Sequence, residues 1–362
     1  MKTKIFFAAG GTGGHIFPAI TLVNFFKDKN CDVFLGTDER GERYFKDTSE
    51  INLYKINLKT ITGIPLIRSL FFYLNIIIAF LKCLFVIKKI KPNLIIGFGG
   101  YVAFPYCVVS KVLNIPLVIY EPNLVLGRAN KVLFPFSSKL LIATKKTKRL
   151  PLSNLHKIVE VGALVRKTKK ELNKITKNNN FTLLVMGGSQ GANIFFEVIP
   201  HFVEMMSKRN YKIKIIQQCF LDQIEKLNKF YNNINIENYI FNFEHDIDKF
   251  IFQSDLVITR CGASTTAELI NFRKPFIGIP YPYAKDNHQY YNAKFYEEKG
   301  CCWLLEQKDF SVENLCKLVT YILQDKNKIN EIKNNMGKFD FNSTPEKIYT
   351  EIKDIINENK LS

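Results

Sequence analysis

The chain has 362 residues, a length that suits two domains. Hydrophobic residues make up 47% and charged residues 23%, which excludes a disordered chain, a collagen-like repeat and a polytopic membrane protein. The net charge is +18, and its spread is uneven: residues 1–165 hold 23 Lys or Arg against 9 Asp or Glu, the remainder 28 against 24.

In chain order, short apolar runs alternate with helix-length stretches. Strands are predicted at 4–9, 31–36, 93–99, 116–121, 181–188, 211–218, 255–259 and 274–280. Helices are predicted at 15–29, 102–113, 190–208, 263–272 and 286–299. This alternation predicts parallel sheets covered by helices on both faces. "FFAAGGTGGH" (6–15) and "LLVMGGSQGA" (183–192) each run from an apolar strand through a glycine turn into a helix. Their spacing predicts two Rossmann-like domains, with a polar linker near 162–180. "NSTP" predicts the start of a last helix at about 345.

The N-terminal half predicts an anionic partner. No acidic residue lies between Glu50 and Glu121, where eight Lys or Arg fall. Within it, residues 66–89 are apolar enough to suggest a membrane span, but Arg68, Asn75, Lys82 and Lys89 recur every seven residues and form one polar stripe. The favoured expectation is a domain helix with one face on the sheet and a second, exposed apolar face rimmed by cations, suited to an anionic membrane surface. A buried core helix and a true span are the alternatives. A nucleic-acid reader would place its basic residues among aromatics in a groove, so no nucleic acid is expected. The eight cysteines show no CxxC spacing or grouping with His, which predicts free thiols in a reducing compartment. The N-terminal "MKTKIFFAAGG" has too few apolar residues for a signal peptide.

Three glycine turns follow strands, at Gly10–Gly14, Gly97–Gly100 and Gly187–Gly191. Glycine lets backbone N–H groups approach an anion, and a helix N-terminus adds a positive dipole end, so phosphate binding is expected. None matches the P-loop or the G-x-G-x-x-G dinucleotide fingerprint. "RCGASTTAELI" (260–270) follows another strand. There Ser264, Thr265 and Thr266 can cap a helix, and Glu268 either completes a capping arrangement or accepts hydrogen bonds from a ribose diol. In "DNHQYYNA" (286–293), Asp286, His288 and Gln289 are further candidates, Gln289 as both donor and acceptor to a sugar hydroxyl.

With these residues in hand, "GGTGGHIFPA", "GFGGYVAFP", "GGSQGA", "GASTTAE" and "DNHQYYNA" together resemble the peptidoglycan GlcNAc transferases of the MurG type, within the GT-B glycosyltransferases. The resemblance implies two Rossmann-like domains with parallel sheets facing a central cleft: residues 1–163, joined by a C-terminal helix at 344–362, and residues 164–343. It implies transfer of GlcNAc from UDP-GlcNAc to the MurNAc 4-hydroxyl of undecaprenyl-diphospho-MurNAc-pentapeptide, with inversion, without metal and without a cofactor. It also implies a peripheral place on the cytoplasmic face of the bacterial inner membrane and a role in cell wall growth and division. By motif, the donor-binding residues are Thr12, Gly13, Gly14, Asn123, Arg166, Ser189, Ala263, Ser264, Thr265, Thr266, Ala267, Glu268 and Gln289. Gly11, Gly99, Gly100 and Tyr101 fall to the acceptor.

The departures are Tyr120-Glu121-Pro122-Asn123 where the family has H-E-Q-N, Gly162-Ala163-Leu164-Val165-Arg166 where it has G-N-P-V-R, and His288 and Glu244 where it has Gln and an aliphatic residue. Inverting displacement needs a base for the acceptor hydroxyl. His15 is the first candidate, since an unperturbed imidazole titrates near neutrality, and Glu121 is the second. A lipid acceptor other than the MurNAc carrier, and a dinucleotide-binding oxidoreductase or nucleotide-sensing module, are the rival readings.

Overall fold

In a computed structural model of the chain, the structure describes residues 2–45, 51–56, 65–166, 181–188 and 192–361, without the side chains of 65–74, 326 and 358–361. Most of the expected linker, and Ser189 with Gln190 and Gly191, lie outside the described residues. The chain divides into two compact units, Met1–Arg166 with Phe341–Ser362, and Lys167–Asp340.

Among the described residues of the first unit, seven parallel strands form one sheet. They are β1 (Lys4–Ala8), β2 (Asp32–Thr37), β3 (Asn52–Lys55), β4 (Leu94–Gly97), β5 (Leu117–Glu121), β6 (Lys139–Ile142) and β7 (Ile158–Glu160), in the order β3-β2-β1-β4-β5-β6-β7. The connecting helices are α1 (Gly13–Asp28), α2 (Glu39–Glu42), α3 (Pro65–Ile90), α4 (Gly100–Val112) and α5 (Arg128–Leu133). Strand β1 shows why its sequence is apolar without a break. Ile5 and Phe7 face one core with Leu22 and Phe26 of α1, while Phe6 and Ala8 face the other with Cys83 of α3 and Tyr106 of α4. A strand buried on both faces has no polar position to alternate with.

In the second unit six strands, β8 (Phe181–Met186), β9 (Ile213–Gln218), β10 (Asn238–Phe241), β11 (Leu256–Thr259), β12 (Phe276–Gly278) and β13 (Trp303–Leu304), make a parallel sheet in the order β10-β9-β8-β11-β12-β13. Its helices are α6 (Asn193–Lys208), α7 (Ile224–Asn233), α8 (Ile247–Gln253), α9 (Ala263–Asn271), α10 (His288–Glu298), α11 (Val312–Gln324) and α12 (Lys326–Met336). The last helix, α13 (Thr344–Leu361), returns to the first unit. Its Ile348, Ile352 and Ile356, one turn apart, enter the core that holds Phe26, and Lys29–Glu346 (2.7 Å) and Lys139–Glu351 (2.6 Å) flank it.

All eight predicted strands are present. β3, β6, β7, β10 and β13 add to them, each of four residues or fewer. In both sheets the order reverses beside the first strand, at β1/β4 and at β8/β11. Helices leaving that point go to opposite faces, and a crevice opens beyond the carboxyl ends of the two strands. The glycine turns therefore stand where an open α/β sheet binds ligands.

Helix α3 buries Ala79, Cys83, Ile87 and Ile90 against the sheet. Ile77, Ile78, Leu81 and Phe85 are exposed, Phe85 by 72%, and Lys82, Lys88 and Lys89 are exposed beside them. Among the described residues no helix is long and apolar enough to cross a membrane. All eight cysteines are free, and all but Cys31 are buried.

Candidate active site

In the first unit the two turns at the switch point touch. A Cβ on Gly10 would come within 2.6 Å of Val102 Cβ, so the β1 turn packs on α4 only as glycine. Gly99 and Gly100 both have φ +80°, a conformation side chains resist, and a Cβ on Gly100 would lie 3.5 Å from the Gly10 carbonyl oxygen. His15, in the first turn of α1, lays its ring across this seam, 3.5 Å from a Cβ on Gly99 and 3.4 Å from one on Gly100. Thr12 is the N-cap of α1, its side chain making no capping bond, and Gly13 and Gly14 form the helix's first turn. Gly99 is the N-cap of α4, and Gly100 and Tyr101 follow it.

Asp38, directly after β2, ties these turns together. One carboxylate oxygen accepts the N–H groups of Gly11 (3.0 Å) and Gly41 (2.9 Å). The other accepts Nε (3.0 Å) and Nη2 (2.9 Å) of Arg40 and the Tyr101 hydroxyl (3.3 Å). An acidic residue at the end of the second strand binds ribose in dinucleotide folds. Here Asp38 is 5% exposed and both oxygens are engaged by the protein, which speaks against the oxidoreductase reading. Nothing in the sequence singled out Asp38 or Arg40.

Glu121, 1% exposed at the end of β5, is a second hub. Its Oε1 accepts the backbone and side-chain N–H of Asn123 (both 3.0 Å), and its Oε2 accepts Gly127 N–H (2.8 Å) and Asn130 Nδ2 (2.9 Å). A carboxylate accepting four hydrogen bonds has its lone pairs filled and is poorly placed to take a proton. The alternative of Glu121 as base gives way to a role in holding Asn123, and Asn130 in turn reaches the Gly99 turn.

Two departures from the family pattern meet each other. Tyr120 is fully buried, donates its hydroxyl to Gly162 O (3.1 Å) and accepts the Leu164 N–H (3.0 Å). The family's proline at the position of Leu164 has no N–H to give, so Tyr120 and Leu164 form a matched pair. Burial raises the Tyr120 hydroxyl above its ordinary pKa. Arg166, the last residue of this part of the unit, stacks on Phe17 with its guanidinium carbon 4.6 Å from the ring centre.

In the second unit α9 begins directly after the β11 turn, with Gly262 as N-cap and no side-chain cap. The expectation that Ser264, Thr265 or Thr266 caps it is corrected: Thr266 bonds instead to the carbonyls of Gly262 and Ala263 (both 3.1 Å). Glu268 lies beyond the first turn and takes no part in a capping box; it is 6% exposed. Ala263, Ser264 and Ala267 are buried, and Thr265 is half-buried. Gln289, in the first turn of α10, accepts the N–H groups of Cys261 (3.1 Å) and Tyr281 (3.0 Å) with its Oε1. Its Oε1 is thus engaged by the protein, and among the described residues the amide NH2 is the group with hydrogen-bonding capacity left.

Asn292, on the same helix, donates to Cys261 O (3.1 Å). Arg260 was missed by the sequence. Its guanidinium, 7% exposed, bonds to Ile279 O, Pro280 O and Gln307 Oε1 between Phe195 and Tyr281, and burial lowers its pKa. His288 Nδ1 donates to Lys285 O (2.8 Å), and Glu244 accepts Asp246 N–H (2.9 Å), so both shape their own turns. Among the described residues no group of three or more His, Cys, Asp or Glu is arranged to hold a metal ion.

Residues 5–142 match the N-terminal domain of glycosyltransferase family 28 and residues 182–349 its C-terminal domain, and the two parallel-sheet units have the fold of a GT-B glycosyltransferase. A Pelagibacter ubique protein is 38% identical over 99% of this chain and 100% of its own length. A Rickettsia bellii protein is 34% identical over 92% and 95%. Both are named UDP-N-acetylglucosamine–N-acetylmuramyl-(pentapeptide) pyrophosphoryl-undecaprenol N-acetylglucosamine transferase, and the chain belongs to that family. The crystal structure of Acinetobacter baumannii MurG superimposes with a TM-score of 0.75 at 26% identity, covering 97% of this chain and 99% of the other.

Proposed function

We infer that the protein transfers N-acetylglucosamine from UDP-N-acetylglucosamine to the 4-hydroxyl of MurNAc-pentapeptide on undecaprenyl diphosphate, forming the lipid-linked disaccharide. The observation that carries this is the match, over almost the whole chain, to transferases of that name. In this reading the second unit binds the donor. Glu268 accepts the ribose hydroxyls, Ala263 to Ala267 line the nucleotide, the Gln289 amide donates to the GlcNAc hydroxyls, and Ser189 contacts the diphosphate. Thr12, Gly13, Gly14, Asn123 and Arg166 are the donor contacts of the first unit. Gly11, Gly99, Gly100 and Tyr101 receive the acceptor diphosphate.

Chemically, the MurNAc O4 attacks the anomeric carbon from the face opposite UDP. The C1–O bond to UDP breaks, and the hydroxyl proton goes to His15. Helix N-terminal N–H groups and Arg166 meet the charge on the departing diphosphate. This route needs no metal. The apolar face of α3, with Lys82, Lys88 and Lys89, supports peripheral docking on the anionic cytoplasmic surface of the inner membrane. A cavity of about 460 Å3 beside Leu81 and Phe85, lined also by Tyr54 and Ile56, adds apolar surface there.

Two variants test the assignment of roles. Glu268→Ala is expected to abolish UDP-GlcNAc binding in calorimetry. His15→Ala is expected to keep donor affinity and lose about 100- to 10,000-fold in kcat, the usual reach of general-base catalysis. Undiminished turnover in His15→Ala would remove it as the base.

A further inference from the structure

We propose that Arg40 binds the diphosphate of the lipid acceptor, and that Asp38 is the positioning residue that aims it. The proposal rests on the transferase reading and adds a residue to the acceptor side that the motifs did not mark. Three observations converge on it. First, the guanidinium lies on the acceptor turns: Arg40 Nη2 is 3.4 Å from a Cβ on Gly11, and the guanidinium carbon stacks 5.1 Å from the centre of the Tyr101 ring. It is thus beside the β1 turn and the first turn of α4 at once.

Second, Asp38 fixes it. Nε and Nη2 both reach Asp38 Oδ2, at 3.0 and 2.9 Å, while Oδ1 is anchored by the backbone of Gly11 and Gly41. Asp38 takes two of the five guanidinium N–H groups. Third, the pair is polarised. The Asp38 side chain is 7% exposed and that of Arg40 49%, so the positive end is the accessible one. With the guanidinium half in solvent, screening weakens what the pair adds to stability. Its geometry is better explained by what it offers a ligand. A planar fork held beside left-handed glycine turns at two helix N-termini matches the oxygens of a diphosphate.

The test is steady-state kinetics with a short-chain prenyl-diphosphate-linked MurNAc-pentapeptide, varying each substrate in turn. Arg40→Ala is expected to raise the acceptor KM about 10- to 100-fold, the range for losing a charge-assisted hydrogen bond. The donor KM should stay within about twofold, since the donor contacts are untouched. Arg40→Lys should recover part of the loss, because an ammonium keeps the charge but not the fork. Asp38→Asn should raise the acceptor KM on its own and add little to Arg40→Ala, as a residue acting through Arg40 must.

An acceptor KM unchanged in Arg40→Ala, or a donor KM that rises equally, overturns the proposal. So does an effect of Arg40→Ala that disappears when the carboxylates of the stem peptide are amidated, because Arg40 would then be reading the peptide. Should Asp38→Asn fail to fold, the Arg40 pair decides alone. Failure of the transferase reading is distinguishable: the unmodified protein itself would transfer nothing to this acceptor.

Discussion

Tyr120→Phe removes one oxygen from a fully buried site and leaves the ring to fill the same space. The consequence can be worked out group by group. Leu164 is 3% exposed, and its N–H loses its acceptor at 3.0 Å, a loss of about 1–3 kcal/mol for an orphaned buried donor. The Gly162 carbonyl loses a donor at 3.1 Å, but Gly162 is half-buried and water can replace it, so this part is nearer 0.5 kcal/mol. The total is about 2–3 kcal/mol. Hydrogen exchange at the Leu164 amide reads it directly. At about 1.4 kcal/mol per factor of ten, exchange should run roughly 30- to 100-fold faster than in the unmodified protein, provided local opening controls it. Leu164→Pro sharpens the case. In the Tyr120→Phe background it removes the orphaned N–H, so its destabilisation there should be about 1–2 kcal/mol smaller than on its own. Unchanged protection at Leu164, or strictly additive effects in urea unfolding, would refute the idea that the two departures compensate.

Glu121→Gln should lower stability by about 3–4 kcal/mol, because the new amide group faces donors where a carboxylate oxygen accepted them. Were Glu121 the base, the same variant would melt normally and only turn over slowly. Leu81→Asp with Phe85→Asp should abolish co-sedimentation with anionic phospholipid vesicles while leaving turnover of a soluble acceptor intact; retained sedimentation would count against α3 as the docking face. Burial pushes the Cys107 thiol to about 12 and those of Cys219 and Cys301 to about 11. Since the thiolate is the reactive form, iodoacetamide on the native protein at pH 8 should label Cys31 first, as mass spectrometry would show. Early labelling of Cys107 would contradict this.

The sequence made the switch-point architecture legible because strands buried on both faces leave unbroken apolar runs, and because glycines mark the turns after β1, β4 and β8. The short strands were harder. β13 has two residues and β7 three, and a pattern of alternation needs more than that. In the site, what stayed hidden depends on which strands lie side by side. "TDERGER" reads as a charged turn, and only the pairing of β2 with β1 brings Asp38 onto the Gly11 N–H. Likewise the four donors around Glu121 come from its own turn and from Gly127 and Asn130, which only the fold brings together. Glu268 was ambiguous until the N-cap fell at Gly262, because a capping role depends on where the helix starts.

The central claim is a chemical one: this chain moves N-acetylglucosamine onto a lipid-linked muramyl peptide. Purified protein given UDP-[14C]GlcNAc and undecaprenyl-diphospho-MurNAc-pentapeptide in detergent should yield one radiolabelled lipid whose sugar is β-linked at O4 of MurNAc, and omission of either substrate should abolish it. Label that remains with UDP-GlcNAc, or transfer to diacylglycerol in place of the muramyl lipid, would contradict the account.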